Sequence, residues 1–316
     1  MAGVTDKSEK SIEEIIETHL LDVQGYKKLV SDDYNKDYGL CDKVLEQFLT
    51  RTQPQKVANA MCFSSVSERN KFFTRLREEI TKRGITDVLR KGYRYISEIF
   101  DLYYPLPSEL NPTAQKDYAG NEFAVMRQLH FSKSEPELSG EMAVFINGLP
   151  ILTMELKNHY TGQTIENAQK QYAERNAKEL LFMPKRCAVH FAVDDTDISM
   201  CTWLNGGDSW FLPFNRGVNG GAGNPVNPNG LKTSYLWENV LEKQSLSNIL
   251  ENFAQVTVEK KKDKKTGKEK TVEKNIWPRY HQLQVVRSLL ADTQKNGVGN
   301  RYLIQHSAGS GKSNSI

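Results

Sequence analysis

The sequence predicts an α/β (α+β) protein with a mixed central sheet flanked by helices, followed by the beginning of a second domain. Three observations predict it. Between Phe123 and Leu204 five short runs are rich in β-branched and aromatic residues, and one helical run separates the third from the fourth. Ahead of Phe123 the apolar residues recur at helical spacing. Near the C-terminal end an apolar run, YLIQ, leads into the glycine-rich loop GSGKS.

In chain order, residues 10–23 read as an amphipathic helix. Ser11 is its expected N-cap, Glu13 and Glu14 favour its first turn, and Gly25 ends it. Ile12, Ile15, Ile16, Leu20 and Val23 follow the helical period. Residues 41–49 and 65–82 read as further helices, and 84–98 as a helix followed by a short strand. The strand runs are 123–131, 141–146, 151–157, 187–194 and 198–204, with a helix expected over TGQTIENAQKQYAERNAKELLFM between the third and fourth. Residues 215–230, rich in Gly, Asn and Pro, form a long loop, and 235–252 return to helix.

Residues 256–276 are expected to form a lysine-rich hairpin or linker turning at Thr266-Gly267. Eight lysines against three acids occupy 260–274, without interleaved aromatics, as in a solvated surface ribbon. This is the best boundary between a first domain, 1–255, and the start of a second, 277–316.

Composition narrows the function classes. Lys and Arg number 42 against 39 acids, a net charge of +3, which permits a nucleic-acid partner without requiring one. The start lacks a basic head and apolar core, and no apolar run approaches membrane-spanning length, so a cytoplasmic, non-membrane protein is expected. Cys41, Cys62, Cys187 and Cys201 lie far apart without a CxxC pair, which argues against a zinc site or a disulfide framework.

The chemistry is concentrated in GEMAVFINGLPILTMELKN. Read as a hairpin around 147–150, its first strand places Met142, Val144 and Ile146 on one face, and its second places Leu152, Met154 and Leu156 on one face. The register that joins these apolar faces brings Glu141, Glu155 and Lys157 together on the other, whereas a one-residue slip would bury the charges instead. Two converging carboxylates make a hard oxygen site suited to Mg²⁺ or Mn²⁺, and a lysine beside it can orient water and offset charge on a pentavalent phosphate. A bare Glu-x-Lys is common on exposed sheet faces; the second acid, 14 residues upstream, makes this one distinctive.

An acid, a β-turn and then [DE]xK resembles the PD-(D/E)xK nuclease signature. The surrounding wording is similar to the nuclease domain of type I restriction enzyme R subunits. NAQKQYAERN, HFAVDD, FLPFNRG, GAGNP, YLW and PRYHQ extend the resemblance over most of the chain. It implies a restriction-endonuclease-like fold, a Mg²⁺ held by Glu141, Glu155 and the main-chain carbonyl of Leu156, and Lys157 as the catalytic lysine. Glu141 stands where the family usually carries Asp, a departure of one methylene that bears on metal placement. In the following helix Gln171 matches a family glutamine that supports DNA-backbone or active-site contacts, which implies a catalytic role, but Arg175 replaces the tyrosine often found four residues on, and Tyr172 adjoins the glutamine instead. Glu17 matches an acidic position that faces the metal in many such nucleases.

In RYLIQHSAGSGKSNSI the strand–loop–helix order expected of a P-loop is present. Backbone N–H groups of Gly309 to Ser313 would cradle ATP phosphates, Lys312 would neutralise them and Ser313 would hold Mg²⁺. His306 occupies the place of the first consensus glycine. PRYHQLQVVRSLL resembles the glutamine motif of superfamily-two helicases, with Gln282 reading adenine. These features imply the opening of a RecA-like motor domain. The sequence stops at Ile316, before a Walker B strand, so an N-terminal piece of a longer motor subunit, not itself an ATPase, is expected. The resemblance further implies double-stranded DNA as substrate and methyltransferase and specificity subunits as partners. The competing expectation is a degenerate, non-catalytic nuclease-fold module that docks DNA and those subunits.

Overall fold

The computed structural model describes residues 9–108, 110–159, 162–262, 267 and 269–306. Helix α1 (Glu9–Thr18) runs into a π-helical turn (His19–Val23), followed by strand β1 (Lys27–Leu29). Helices α2 (Asp42–Thr52), α3 (Pro54–Ala60), α4 (Val66–Arg83) and α5 (Ile85–Lys91) lead to a small hairpin, β2 (Tyr93–Tyr95) and β3 (Glu98–Phe100). After α6 (Pro112–Ala119) come β4 (Phe123–His130), β5 (Ser139–Ile146) and β6 (Leu149–Leu156), then α7 (Ile165–Glu174), β7 (Val189–Val193), β8 (Ile198–Cys201) and β9 (Leu212–Pro213). The chain closes with α8 (Lys243–Asn252), the ribbon β10 (Gln255–Lys262) and β11 (Glu269–Ile276), and α9 (Tyr280–Asn296).

The central sheet has seven strands in the order β1-β4-β5-β6-β7-β8-β9. It is mixed: β1 with β4 and β6 with β7 are parallel, and the other neighbours antiparallel. The β6–α7–β7 crossover makes that parallel pair, as a strand–helix–strand unit must. One sheet face, with Val125, Met142, Val144, Leu152 and Met154, buries against α1 (Ile12, Ile16) and α4 (Phe72, Phe73, Leu76). The other, with Ala143, Phe145 and Ala192, packs on Ala168 and Tyr172 of α7 and on Phe182.

The hairpin that carries the acids turns on two residues. Asn147 (φ 51°) and Gly148 (φ 80°) both take left-handed backbone, the requirement of a tight turn between twisted strands. A Cβ on Gly148 would sit 2.4 Å from the Cys41 carbonyl oxygen, so this position needs glycine twice over. Asn147 is buried and bonds the Leu102 carbonyl, Asn121 and the Glu122 amide, which clamps the turn to the sheet's end.

All five expected strands form, with their ends shifted by up to three residues; β5 and β6 each begin two residues earlier than expected. Sequence periodicity overlooked the edge strand β1 and the short helices α3 and α6; the two helices each begin at proline, at Pro54 and Pro112, a favoured first helical position. Ser11 lies within helix α1 and not at its cap. The long helix expected after Lys157 stops at Glu174, because Arg175 turns extended (ψ 137°); only a 3₁₀ turn, Leu180–Phe182, follows. The strand expected at YLIQ does not form. Residues 301–306 carry no regular structure and Leu303 is exposed; a strand needs a neighbour to accept its ladder bonds, and this segment joins none.

The lysine-rich ribbon forms as a hairpin with Lys262 opposite Glu269. Its base is fixed: Asn275 is buried and bonds the carbonyls of Cys187, Ala188 and Thr202, while Lys185 pairs with Glu273 at 2.6 Å. Trp277 and Leu283 continue from it into the same core as the sheet. No helix among the described residues is long and apolar enough to cross a membrane.

Candidate functional site

The β5–β6 pairing sets Met142 against Met154 and Ala143 against Thr153, so one step further Glu141 faces Glu155. This is the register that the apolar faces demand. The ladder ends there: Met142–Met154 is the last pair, and on the other side the β4–β5 ladder is interrupted between Arg127–Met142 and Leu129–Gly140. Gln128, opposite that gap, takes a left-handed φ of 49°. Glu141 therefore sits where β5 is released from both neighbours.

Its side chain fills the released space. The carboxylate accepts the ammonium of Lys157 through Oε1 at 2.6 Å and the backbone N–H of Leu156 through Oε2. The added methylene of Glu relative to Asp gives the reach for this fold-back onto β6. Lys157 is held by its own backbone, whose N–H bonds the Val193 carbonyl at 2.8 Å and extends the parallel β6–β7 edge. The Leu156 side chain lies in the opposite core, as alternation requires, so this residue meets the site through its main chain.

Glu155 is 1% exposed. Its Oε1 accepts Arg175 Nη2 at 2.6 Å, and its Oε2 is buried with no hydrogen-bond partner. Burial, and then the Glu141 charge, push its pKa up to about 8, opposed by Arg175 and Lys157. The same Arg175 nitrogen donates to the Ser139 carbonyl at 2.7 Å, and the guanidinium lies over Phe131 and Phe182, 5.2 and 5.6 Å from the ring centres. Two carboxylates and two cations thus converge at one end of the β5–β6 pair.

Three further residues singled out in the sequence lie as follows. Gln171 is half-buried on α7, and the residue from this segment that reaches Glu155 is Arg175. Tyr172 is fully buried; its hydroxyl shares a bond with Thr153 Oγ1 at 2.8 Å, and Thr153 in turn bonds His190 Nδ1 at 2.8 Å. Glu17 lies with α1 on the other sheet face, where it pairs with Arg127 at 3.3 Å and Lys28 at 3.1 Å beside Glu13. Arg175 is the residue that sequence reasoning noticed only as a missing tyrosine. Its spacing of four from Gln171 marked the place, but the helix end that swings it inward had no clear signal.

The parts fit a divalent cation. The unpartnered buried oxygen of Glu155 and the Glu141 carboxylate, whose two oxygens the Lys157 ammonium and the Leu156 N–H engage, are hard oxygen donors of the kind Mg²⁺ or Mn²⁺ prefers. A second cluster, His159, Asp194 and Asp195, fits less well although its ligand atoms lie within 4.8 Å of one another. Asp194 is already consumed as a cap, accepting the amides of Ile165, Thr196 and Asp197.

The family model for the type I restriction enzyme R protein N terminus (HSDR_N) matches residues 6–209. The chain belongs to this family. The match contains every residue of the β5–β6 site and Arg175, and ends before the ribbon and α9. No curated protein and no solved structure matches the chain.

Outside the family match, Gln282 is buried and its Oε1 accepts the Arg279 amide at 2.9 Å, closing the first turn of α9. Gly309, Gly311, Lys312 and Ser313 lie outside the described residues.

Proposed function

We propose that this R-protein segment is a Mg²⁺-dependent endonuclease module that hydrolyses DNA phosphodiesters. The observation that carries the reading is the meeting of Glu141, Glu155 and Lys157 on one face, with Glu155 Oε2 left open inside the site. Glu141, Glu155 and the Leu156 carbonyl would hold the cation, which when bound supplies an acidified water and offsets charge on the phosphate. Lys157 stands beside Glu141 and holds a proton-bearing ammonium where the attacking water and the scissile phosphate would meet. Glu155, forced toward neutrality by burial, gains most from a cation that restores its charge.

On this reading the chain acts in the cytoplasm on double-stranded DNA, together with methyltransferase and specificity subunits. ATP with Mg²⁺ at the GSGKS loop, and Gln282 near its base, would belong to the motor that delivers DNA to the nuclease. The deciding experiment compares wild type and Lys157→Ala in the full subunit assembled with its partners. Plasmid cleavage should vanish while DNA-stimulated ATP hydrolysis persists; equal cleavage by both would rule the site out.

One observation favours a second reading, the non-catalytic docking module. Both oxygens of Glu141 are engaged inside the protein, one by Lys157 and one by the Leu156 amide. If the wild type does not cut and Glu141→Asp restores Mn²⁺ binding, the longer side chain has disabled the site.

A further inference from the structure

We infer that Arg175 is a positioning residue for the cation site: it holds Glu155 by one oxygen and so presents the other. This rests on the nuclease-site reading above. Three features of the geometry carry it. The first is that one guanidinium nitrogen bridges two strands, bonding the Ser139 carbonyl of β5 at 2.7 Å and Glu155 Oε1 of β6 at 2.6 Å. It does so where the β5–β6 ladder has ended at Met142–Met154, so backbone bonds no longer fix how far the two acid-bearing strands diverge. Arg175 replaces them with a side-chain clip.

The second feature is that the clip is rigid. The Arg175 side chain is only 7% exposed and packs over Phe131 and Phe182, which are themselves in edge-to-face contact. It enters from the point where α7 ends and the backbone turns extended, which frees the side chain from the helix surface and lets it run under Glu155. A planar guanidinium packed against two rings loses less freedom on pairing than a lysine would.

The third feature is the asymmetry at Glu155. With Oε1 bound to Arg175, the buried Oε2 has no partner. Without the clip the carboxylate could rotate and both oxygens would compete for whatever donor or cation came near. Metal ligands are oriented in this way by groups that never touch the metal, and losing such a group weakens metal affinity by roughly 10–100-fold.

The test is Mn²⁺ binding to this chain by titration calorimetry, with unfolding temperature recorded in parallel. Wild type should bind one Mn²⁺ and Glu155→Gln should lose it. Arg175→Met should bind at least about tenfold more weakly, and Arg175→Lys, which keeps the charge but not the fork, should fall between. A purely structural role would lower the unfolding temperature of Arg175→Met and leave its Mn²⁺ affinity at the wild-type value, which overturns the inference while the nuclease-site reading stands. Should Arg175→Met not fold, Arg175→Lys decides, and wild-type affinity there overturns the inference equally. Absence of Mn²⁺ binding by wild type, or its survival in Glu155→Gln, removes the nuclease-site reading and the inference with it.

Discussion

Lys157 Nζ lies 2.6 Å from Glu141 Oε1, across a strand pair whose ladder stops one residue short of the glutamate. The two side chains are 7% and 12% exposed, so the pair is shielded from water and from salt. Breaking such a pair leaves the partner charge poorly solvated, whereas removing both costs less. A double-mutant cycle with Glu141→Ala and Lys157→Ala should therefore give a coupling energy of about 1–3 kcal/mol in urea unfolding. A coupling below about 0.3 kcal/mol would place both groups in effective contact with solvent.

Glu155 should make the protein less stable as the pH rises. Its folded pKa, about 8, lies above the ordinary carboxylate value of 4.5, so between those limits the native state binds more protons than the unfolded chain. The associated stability is present below pH 4.5 and is lost as the pH rises toward 8. Glu155→Gln should thus stabilise the cation-free protein increasingly across that window, by on the order of 1–3 kcal/mol at its upper end. Unfolding free energies in chelator at several pH values check this, and a pH-independent difference would refute it.

His190 acts in the opposite direction. It is buried, bonds Thr153 through Nδ1, and burial lowers its pKa to about 3 from 6.5. Here the unfolded chain binds the extra proton, so stability is full above pH 6.5 and falls as the pH drops toward 3. Wild type should lose up to about 1.4 kcal/mol per pH unit more than His190→Asn in that window. Parallel slopes for the two proteins would show that His190 is solvated.

Gly148→Ala tests the turn that sets the register. The substitution places a side chain at φ 80° and within 2.4 Å of the Cys41 carbonyl oxygen, a backbone atom that cannot swing aside. A loss of about 2–4 kcal/mol is expected, with a lowered urea midpoint and an unchanged slope. A loss under about 0.5 kcal/mol would mean that the turn and Cys41 separate freely.

Much of this architecture was legible in the sequence because its signals are local. Met142 lies between Glu141 and Ala143 and Met154 between Thr153 and Glu155, and this alternation at the charged end of the hairpin allows one register. That register alone brought Glu141 opposite Glu155. Asn147-Gly148 announced the turn by the only residue types that suit its backbone. Periodicity was weaker where elements are short: β1 has three residues and α3 seven, too few for a pattern to emerge.

The site's outer members were illegible for a different reason. Arg175 lies 20 residues from Glu155 and 36 from Ser139, and no spacing rule relates an extended residue after a helix to two strands of a sheet. Tyr172 and Glu17 were both singled out in the sequence, yet one is buried in the core and the other lies on the opposite face. By itself, then, the sequence determined the strands, their register and the placing of both acids and Lys157 on one face, since each follows from side chains within one hairpin. Only the tertiary structure decided which distant groups surround that hairpin, because burial and charge pairing depend on where α1 and the end of α7 pack against the sheet, and packing is set by the whole core at once.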